Sequence, residues 1–215
     1  MNHHENLEND AMNERTLVVV SAGLSQPSST RLLADQLAAA AVEAGAKQGL
    51  QIETRVIELR DLAHDIANNL LTGFPPAALK EATDAVAAAD ALIAVTPIFT
   101  ASYSGLFKSF VDVLEKDTLA GKPVLIAATA GTARHSLALE HALRPLFAYL
   151  RAVVLPTAVF AATDDFGADS ADGTLRSRIT RASEELAAEL ERREPVTVLD
   201  PFALTTNFED LLKTM

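Results

Sequence analysis

From Thr16 onward the chain repeats one pattern, short β-branched apolar runs alternating with long Ala/Leu-rich segments of helical period, and this limits its possible folds more than any other feature. Residues 16–20, 91–95 and 123–128 are apolar with almost no polar interruption, the signature of strands covered on both faces. Residues 51–59 add a run of imperfect alternation. Residues 153–160 add another that contains Pro156, which a sheet accepts more easily at an edge than at its centre. Leu32, Leu33, Gln36, Leu37, Ala40 and Ala41 repeat with the spacing of one helix face as far as about Ala46. Further helices are expected over 61–71, from Pro75-Pro76 to about Ala89, over 104–115, over 132–151 with Pro145 as a kink or division, and over 174–193. Five strands alternating with helices predict an α/β fold with a mostly parallel sheet, right-handed crossovers and helices on both faces.

The 215 residues suit one such domain, expected over 15–193. Residues 1–14 are polar and without period, and are read as a disordered tail or expression remnant. Residues 194–215 carry Phe202, Leu204, Phe208, Leu211 and Leu212 outside any further strand–helix unit, and are expected to contact another subunit. The chain has no cysteine, so thiol catalysis, thiolate metal sites and iron–sulfur clusters are excluded, and any redox chemistry must come from a bound cofactor. A net charge of -11 opposes binding to nucleic acid, where phosphates must be neutralised by Lys and Arg. No apolar run is long enough for a membrane-spanning helix, and the acidic N-terminus lacks the pattern of a secretory signal, so a cytoplasmic protein is expected. His3-His4 lack companions at ligand spacing, and Asp164, Asp165, Asp169 and Asp172 lack the EF-hand pattern; no metal is assigned.

Open parallel sheets bind ligands beyond the carboxyl ends of the strands, where the winding reverses, so the informative loops follow Val20, Val95 and Ala128. The first, 21–30, offers hydroxyls at Ser21, Ser25, Ser28, Ser29 and Thr30, with Gly23 for a tight turn, and it runs into a helix. A helix start presents unpaired N–H groups and a partial positive charge, so this loop can hold one phosphate without a lysine. It matches neither the Walker nor the dinucleotide glycine pattern, and the same hydroxyls could equally serve only as helix caps. The second loop, 96–105, joins the rigid Pro97 to Phe99, Tyr103 and several hydroxyls, which suits a flat, partly polar ring; the alternative places both aromatics in the core or an interface. Lys108 is read as solvated or paired rather than catalytic. The third, 128–135, is built of small residues whose backbone can approach a planar edge, followed by Arg134 and His135, which either add charge or lie on a helix surface. His64 and His141 have no partnered nucleophile, which weakens a hydrolase reading.

Taken together the loops resemble those of the NADPH-dependent FMN reductase family of flavodoxin-like proteins, over about residues 16–193, and most nearly the reductases of two-component monooxygenase systems such as the alkanesulfonate system. The run from Thr96 to Lys108 resembles the family's Thr-Pro-x-Tyr-x-x-Ser-x-Ser-Gly-x-x-Lys segment. Ala128-Thr129-Ala130-Gly131-Thr132, with His135 and then Ala142-Leu143-Arg144-Pro145, resembles its Ala-Thr-Gly-Gly-Thr loop and following helix. Three departures stand out: Gly23-Leu24-Ser25-Gln26 lacks the family's frequent arginine, Phe99 replaces a common tyrosine, and Ala130 a common glycine.

The resemblance implies a flavodoxin-like three-layer sandwich with a five-stranded parallel sheet. It implies FMN as flavin and NADPH or NADH as electron donor, with Ser25, Ser28, Ser29 and Thr30 at the phosphate, Pro97, Ile98, Phe99 and Thr100 along the ribityl chain and ring, and Thr129, Ala130, Gly131 and Thr132 at the ring's polar edge. No catalytic side chain is implied, because hydride passes between nicotinamide and flavin. A flavin-dependent monooxygenase as recipient and a homodimer or homotetramer are also implied. The competing readings are a quinone or azo-compound reductase that retains FMN and a non-enzymatic flavodoxin-type electron carrier.

Overall fold

The first apolar run forms β1 (Glu14–Ser21), and the sheet is built outward from it in the computed structural model, which describes residues 13–167 and 174–196. His3, His4, Asp169, Asp172 and the apolar positions from Phe202 to Leu212 lie outside the described residues. After α1 (Ser29–Lys47) the chain lays β2 (Gln51–Glu58) parallel to one side of β1, from Glu14 opposite Gln51 to Ser21 opposite Glu58. Helices α2 (Ala63–Thr72) and α3 (Ala77–Ala88) then carry it back across β1, where β3 (Ala91–Phe99) pairs with Leu17 opposite Ala91 and Ser21 opposite Val95. A two-residue β4 (Ser102–Tyr103) and α4 (Gly105–Asp112) lead to β5 (Pro123–Ala130), aligned with Leu92 opposite Val124 and Pro97 opposite Thr129.

The near-continuous apolar strands are explained by the two layers they separate. Val18, Val20, Leu92, Ala94, Val124 and Ile126 face α2, α3 and α4, while Leu17, Val19, Ile93, Val95, Leu125 and Ala127 face α1 and, at the end of the chain, α6 (Thr174–Glu191). Side chains alternate between faces along a strand, so a strand buried on both must be apolar at every position.

Two elements are divided at the prolines that the sequence marked. The helix expected over 132–151 is a 3-10 turn (Ala133–His135), a π-helical turn (Leu139–Leu143) and a short α5 (Arg144–Tyr149), with Pro145 in the first turn of α5. Pro145 has no N–H for the ladder and its ring crowds the preceding turn, so the helix restarts there. The strand expected over 153–160 is likewise two, β6 (Val153–Val154) beside Pro123-Val124 and β7 (Val159–Ala162) beside residues 127–130, which share the fifth place in the sheet. The break at Pro156 is satisfied by side chains: Arg144 donates to the carbonyls of Leu155 (3.0 Å) and Pro156 (3.1 Å), and Glu185 accepts from Thr157 N (2.8 Å).

At the amino ends of the strands Lys122, 7% exposed, donates to the carbonyls of Ala89 and of Ala87 (3.0 Å), closing the end of α3. Burial pushes its ammonium down to about 8, opposed by the charge of Asp90. Between about pH 8 and the ordinary lysine range near 10.4 the unfolded chain therefore binds a proton that the folded chain does not, and stability rises with pH through that window. Comparing unfolding of the wild type and Lys122→Met from pH 7 to 10.5 is expected to show this rise, with a limiting slope of about 1.4 kcal/mol per pH unit, only in the wild type. Parallel curves would contradict it.

Candidate functional site

The strand order reverses at β1, with β2 laid on one side and β3 on the other, so the crevice between the carboxyl ends of β1 and β3 is where this sheet can receive a ligand. Ser21, Phe99 and Ala130 end β1, β3 and β5, and this brings the three expected loops to one edge.

The first loop is fixed from within. Ser28 caps α1, its Oγ accepting from Arg31 N at 3.2 Å, and the first intrahelical bond runs from Leu32 N to Ser28 O (3.0 Å). The N–H groups of Ser29 and Thr30 precede that bond and so belong to the orphan donors of the helix start. No acidic residue lies in the first turn of this 19-residue helix, which leaves its positive end unneutralised. Gly23 is packed so closely against the turn that a Cβ there would lie 2.0 Å from Ser28 Oγ. Thr30 is 2% exposed, and its Oγ1 lies 2.8 Å from the buried Thr129 Oγ1, which ties the first loop to the third. Of the four hydroxyls expected at the phosphate, those of Ser28 and Thr30 are thus engaged by the protein, while Ser25 and Ser29 are exposed. The buried Ser21 Oγ has no hydrogen-bond partner among the described residues.

The second loop is a β-hairpin. β3 continues through Pro97 and Ile98 to Phe99, and β4 folds back on it, Ile98 opposite Tyr103 and Phe99 opposite Ser102. The turn residues Thr100 and Ala101 have φ of 43° and 69°, both left-handed, where two-residue hairpins ordinarily use Asn and Gly. Such a backbone costs roughly 1–2 kcal/mol per side-chain-bearing residue. Thr96 braces its base: its Oγ1 accepts from Ser104 N and donates to Pro97 O, both at 3.1 Å, and Ser104 Oγ in turn caps α4 by accepting from Phe107 N (3.1 Å). Pro97 and Ile98 are buried, so of the four residues expected along the ring the hairpin presents Phe99, 47% exposed, and Thr100. Lys108 is held by Asp112 at 2.6 Å, whose hydrogen bond keeps the ammonium above its ordinary value.

In the third loop Thr129, near the end of β5, is buried and bonded to Thr30, Ala130 is half-buried, and residues 131–135 are exposed. A Cβ on Gly131 would meet nothing within 4 Å. These features suit a ligand with one phosphate and a planar ring, as FMN is. Neutral donors gather at a helix start, an exposed aromatic stands across the crevice, and open space faces the small-residue edge.

The site is a shelf whose rim, Phe99, Thr100 and residues 131–135, is exposed. Two grooves lie elsewhere, one of about 880 Å³ at the amino ends of the strands beside Val42, Ile52 and Val196, and one of about 920 Å³ between α1 and α6. Among the described residues no group of three or more His, Asp or Glu could hold a metal ion, and no helix is long and apolar enough to cross a membrane.

The sequence profile of the NADPH-dependent FMN reductase family matches residues 15–167. An FMN reductase (NADPH) of Pseudomonas aeruginosa is 40% identical over 172 residues, 80% of this chain and 90% of the relative. The NADH-dependent FMN reductase SfnE of Pseudomonas putida is 38% identical over 173 residues, 80% and 88% of the two chains. Among solved structures, an oxidoreductase from Corynebacterium diphtheriae superposes with a TM-score of 0.81 at 48% identity, covering 85% of this chain and all of that one.

Proposed function

The chain belongs to the NADPH-dependent FMN reductase family, and from that premise we propose that it reduces FMN with NADPH or NADH on the three-loop shelf and releases the product to a separate flavin-dependent monooxygenase. The observation that carries this reading is the start of α1: a neutral phosphate seat, lacking acid in its first turn, set beside an exposed aromatic and a small-residue loop. Bound there, the isoalloxazine supplies the hydride acceptor, which accounts for a site without a protein nucleophile.

The chain's own work is placement. The N–H groups of Ser29 and Thr30, with the Ser25 and Ser29 hydroxyls, hold the phosphate. The hairpin sets Phe99 and Thr100 against the ribityl chain and ring. The backbone of 129–132 offers donors to the polar edge. The exposure of Phe99, Thr100 and residues 131–135 favours a flavin that exchanges over one retained through turnover. Exposed apolar side chains stand at Leu71 (87%) in the last turn of α2 and at Phe74 (80%) just after it; a second copy of the chain is the partner we assign to them.

Anaerobic addition of NADPH or NADH to the protein with FMN is expected to bleach the flavin band catalytically. Gel filtration of the oxidised mixture is expected to separate flavin from protein, and light scattering to report a dimer or tetramer. Absence of bleaching with both donors would remove the reductase reading, and flavin that co-elutes through repeated turnover would favour the retained-cofactor enzyme instead.

A further inference from the structure

The three loops are unequally charged. The first has no cation before Arg31, whose guanidinium is taken by Asp35 (2.8 Å) and by Glu58. The second has none before Lys108, which Asp112 holds. The third carries Arg134 and His135 on the exposed 3-10 turn, and among the described residues neither side chain forms an ion pair or hydrogen bond. Glu140, the nearest carboxylate along the chain, is itself held by Arg144 at 2.6 Å. A chain of net charge -11 thus leaves one uncommitted guanidinium in its ligand-binding loops, three residues past the open space at Gly131.

Resting on the reductase reading, we propose that Arg134 binds the 2′-phosphate of the reduced nicotinamide nucleotide and gives the chain a preference for NADPH over NADH. The flavin phosphate is accounted for at the start of α1, across the crevice, without any cation. A second nucleotide whose nicotinamide reaches the ring must pass its remaining phosphates over the rim of the shelf, where the third loop stands. A terminal phosphate monoester carries nearly two negative charges at neutral pH and three free oxygens. A guanidinium fork meets those oxygens in bidentate fashion, which an ammonium cannot do. Unpaired in the free protein, Arg134 has no ion pair to break before it binds.

The test compares wild type, Arg134→Ala and Arg134→Lys by steady-state kinetics with both donors. It adds calorimetry of adenosine 2′,5′-bisphosphate and adenosine 5′-monophosphate, which differ only in the 2′-phosphate. Arg134→Ala is expected to raise KM for NADPH and weaken the bisphosphate by about tenfold, the scale of one exposed charge-assisted contact, leaving kcat, KM for NADH, the monophosphate and FMN affinity unmoved. Arg134→Lys is expected to recover part of the loss. A parallel rise for both donors would assign Arg134 to the shared pyrophosphate and overturn the proposal, as would no change for either. Wild-type protein that oxidises neither donor with FMN would remove the reductase reading and this inference with it, whereas an active enzyme with an unaltered donor ratio would remove this inference alone.

Discussion

Phe107→Ala is expected to lower the free energy of unfolding by about 3–5 kcal/mol, the range for removing a buried phenyl ring and leaving its cavity. Phe107 is 1% exposed on α4, with its ring centroid 5.9 Å from Tyr103 of the hairpin and 6.2 Å from Phe147 of α5. It therefore ties the hairpin and the helix that follows it to α5, some 40 residues further along the chain. For a domain of this size each kcal/mol shifts the melting temperature by roughly 2–4 °C, so a fall of about 10 °C is expected. Phe107→Leu refills most of the volume and is expected to cost less than about 1.5 kcal/mol. Urea unfolding at one fixed protein concentration checks both variants. An alanine variant as stable as the leucine one would show that the stack does not bear on stability. A functional consequence is tied to the same residue: Tyr103 holds the returning strand of the hairpin, so the alanine variant is also expected to bind FMN more weakly.

The central strands β1, β3 and β5 were legible in the sequence because burial on both faces imposes apolar residues along them, a signal that survives without any neighbour. The division of 132–151 at Pro145 was legible too, but the 3-10 and π-helical turns before it were not, because apolar spacing gives no measure of how far a turn must tighten or widen. Pro156 marked its strand as a difficult one, but the side chains that support the break, Arg144 and Glu185, come from other elements and carry no local signal. The hairpin was hidden for a different reason. Thr100 and Ala101 sit where turn chemistry favours Asn-Gly, so local propensity argues against the turn that the brace from Thr96 to Ser104 enforces. A local rule broken beside a ligand loop is what a site positioned by tertiary structure looks like. Of the hydroxyls expected at a phosphate, the sequence could not assign Ser28 to the cap of α1 and Thr30 to Thr129, nor show that Ser25 and Ser29 are the exposed ones.

That division of labour gives Gly23→Ala a specific expected outcome. A methyl group at Gly23 would stand 2.0 Å from Ser28 Oγ, 3.1 Å from Ser28 Cβ and 3.2 Å from Thr30 Cβ, so rotating the serine hydroxyl away relieves only the first contact. The rotation gives up the cap on Arg31 N, at a cost of about 1 kcal/mol, and the two Cβ contacts displace the loop from the helix start. FMN affinity is expected to fall at least tenfold, on the scale of about 1.4 kcal/mol per decade. Riboflavin, which shares the ring and lacks the phosphate, is expected to change far less. Fluorescence titration with the two flavins measures the difference directly. The double variant Gly23→Ala/Ser28→Ala separates the causes: if the first substitution already costs the cap, the second adds little, and the pair is less than additive in stability. Equal losses for FMN and riboflavin would place the damage at the ring instead. Strict additivity would mean that Ser28 still caps α1 beside the new methyl group. Because Gly23 does not adopt a left-handed backbone, its requirement here is one of space alone: the helix start must come close enough to β1 for unpaired N–H groups to face the crevice, and any side chain between them pushes it back.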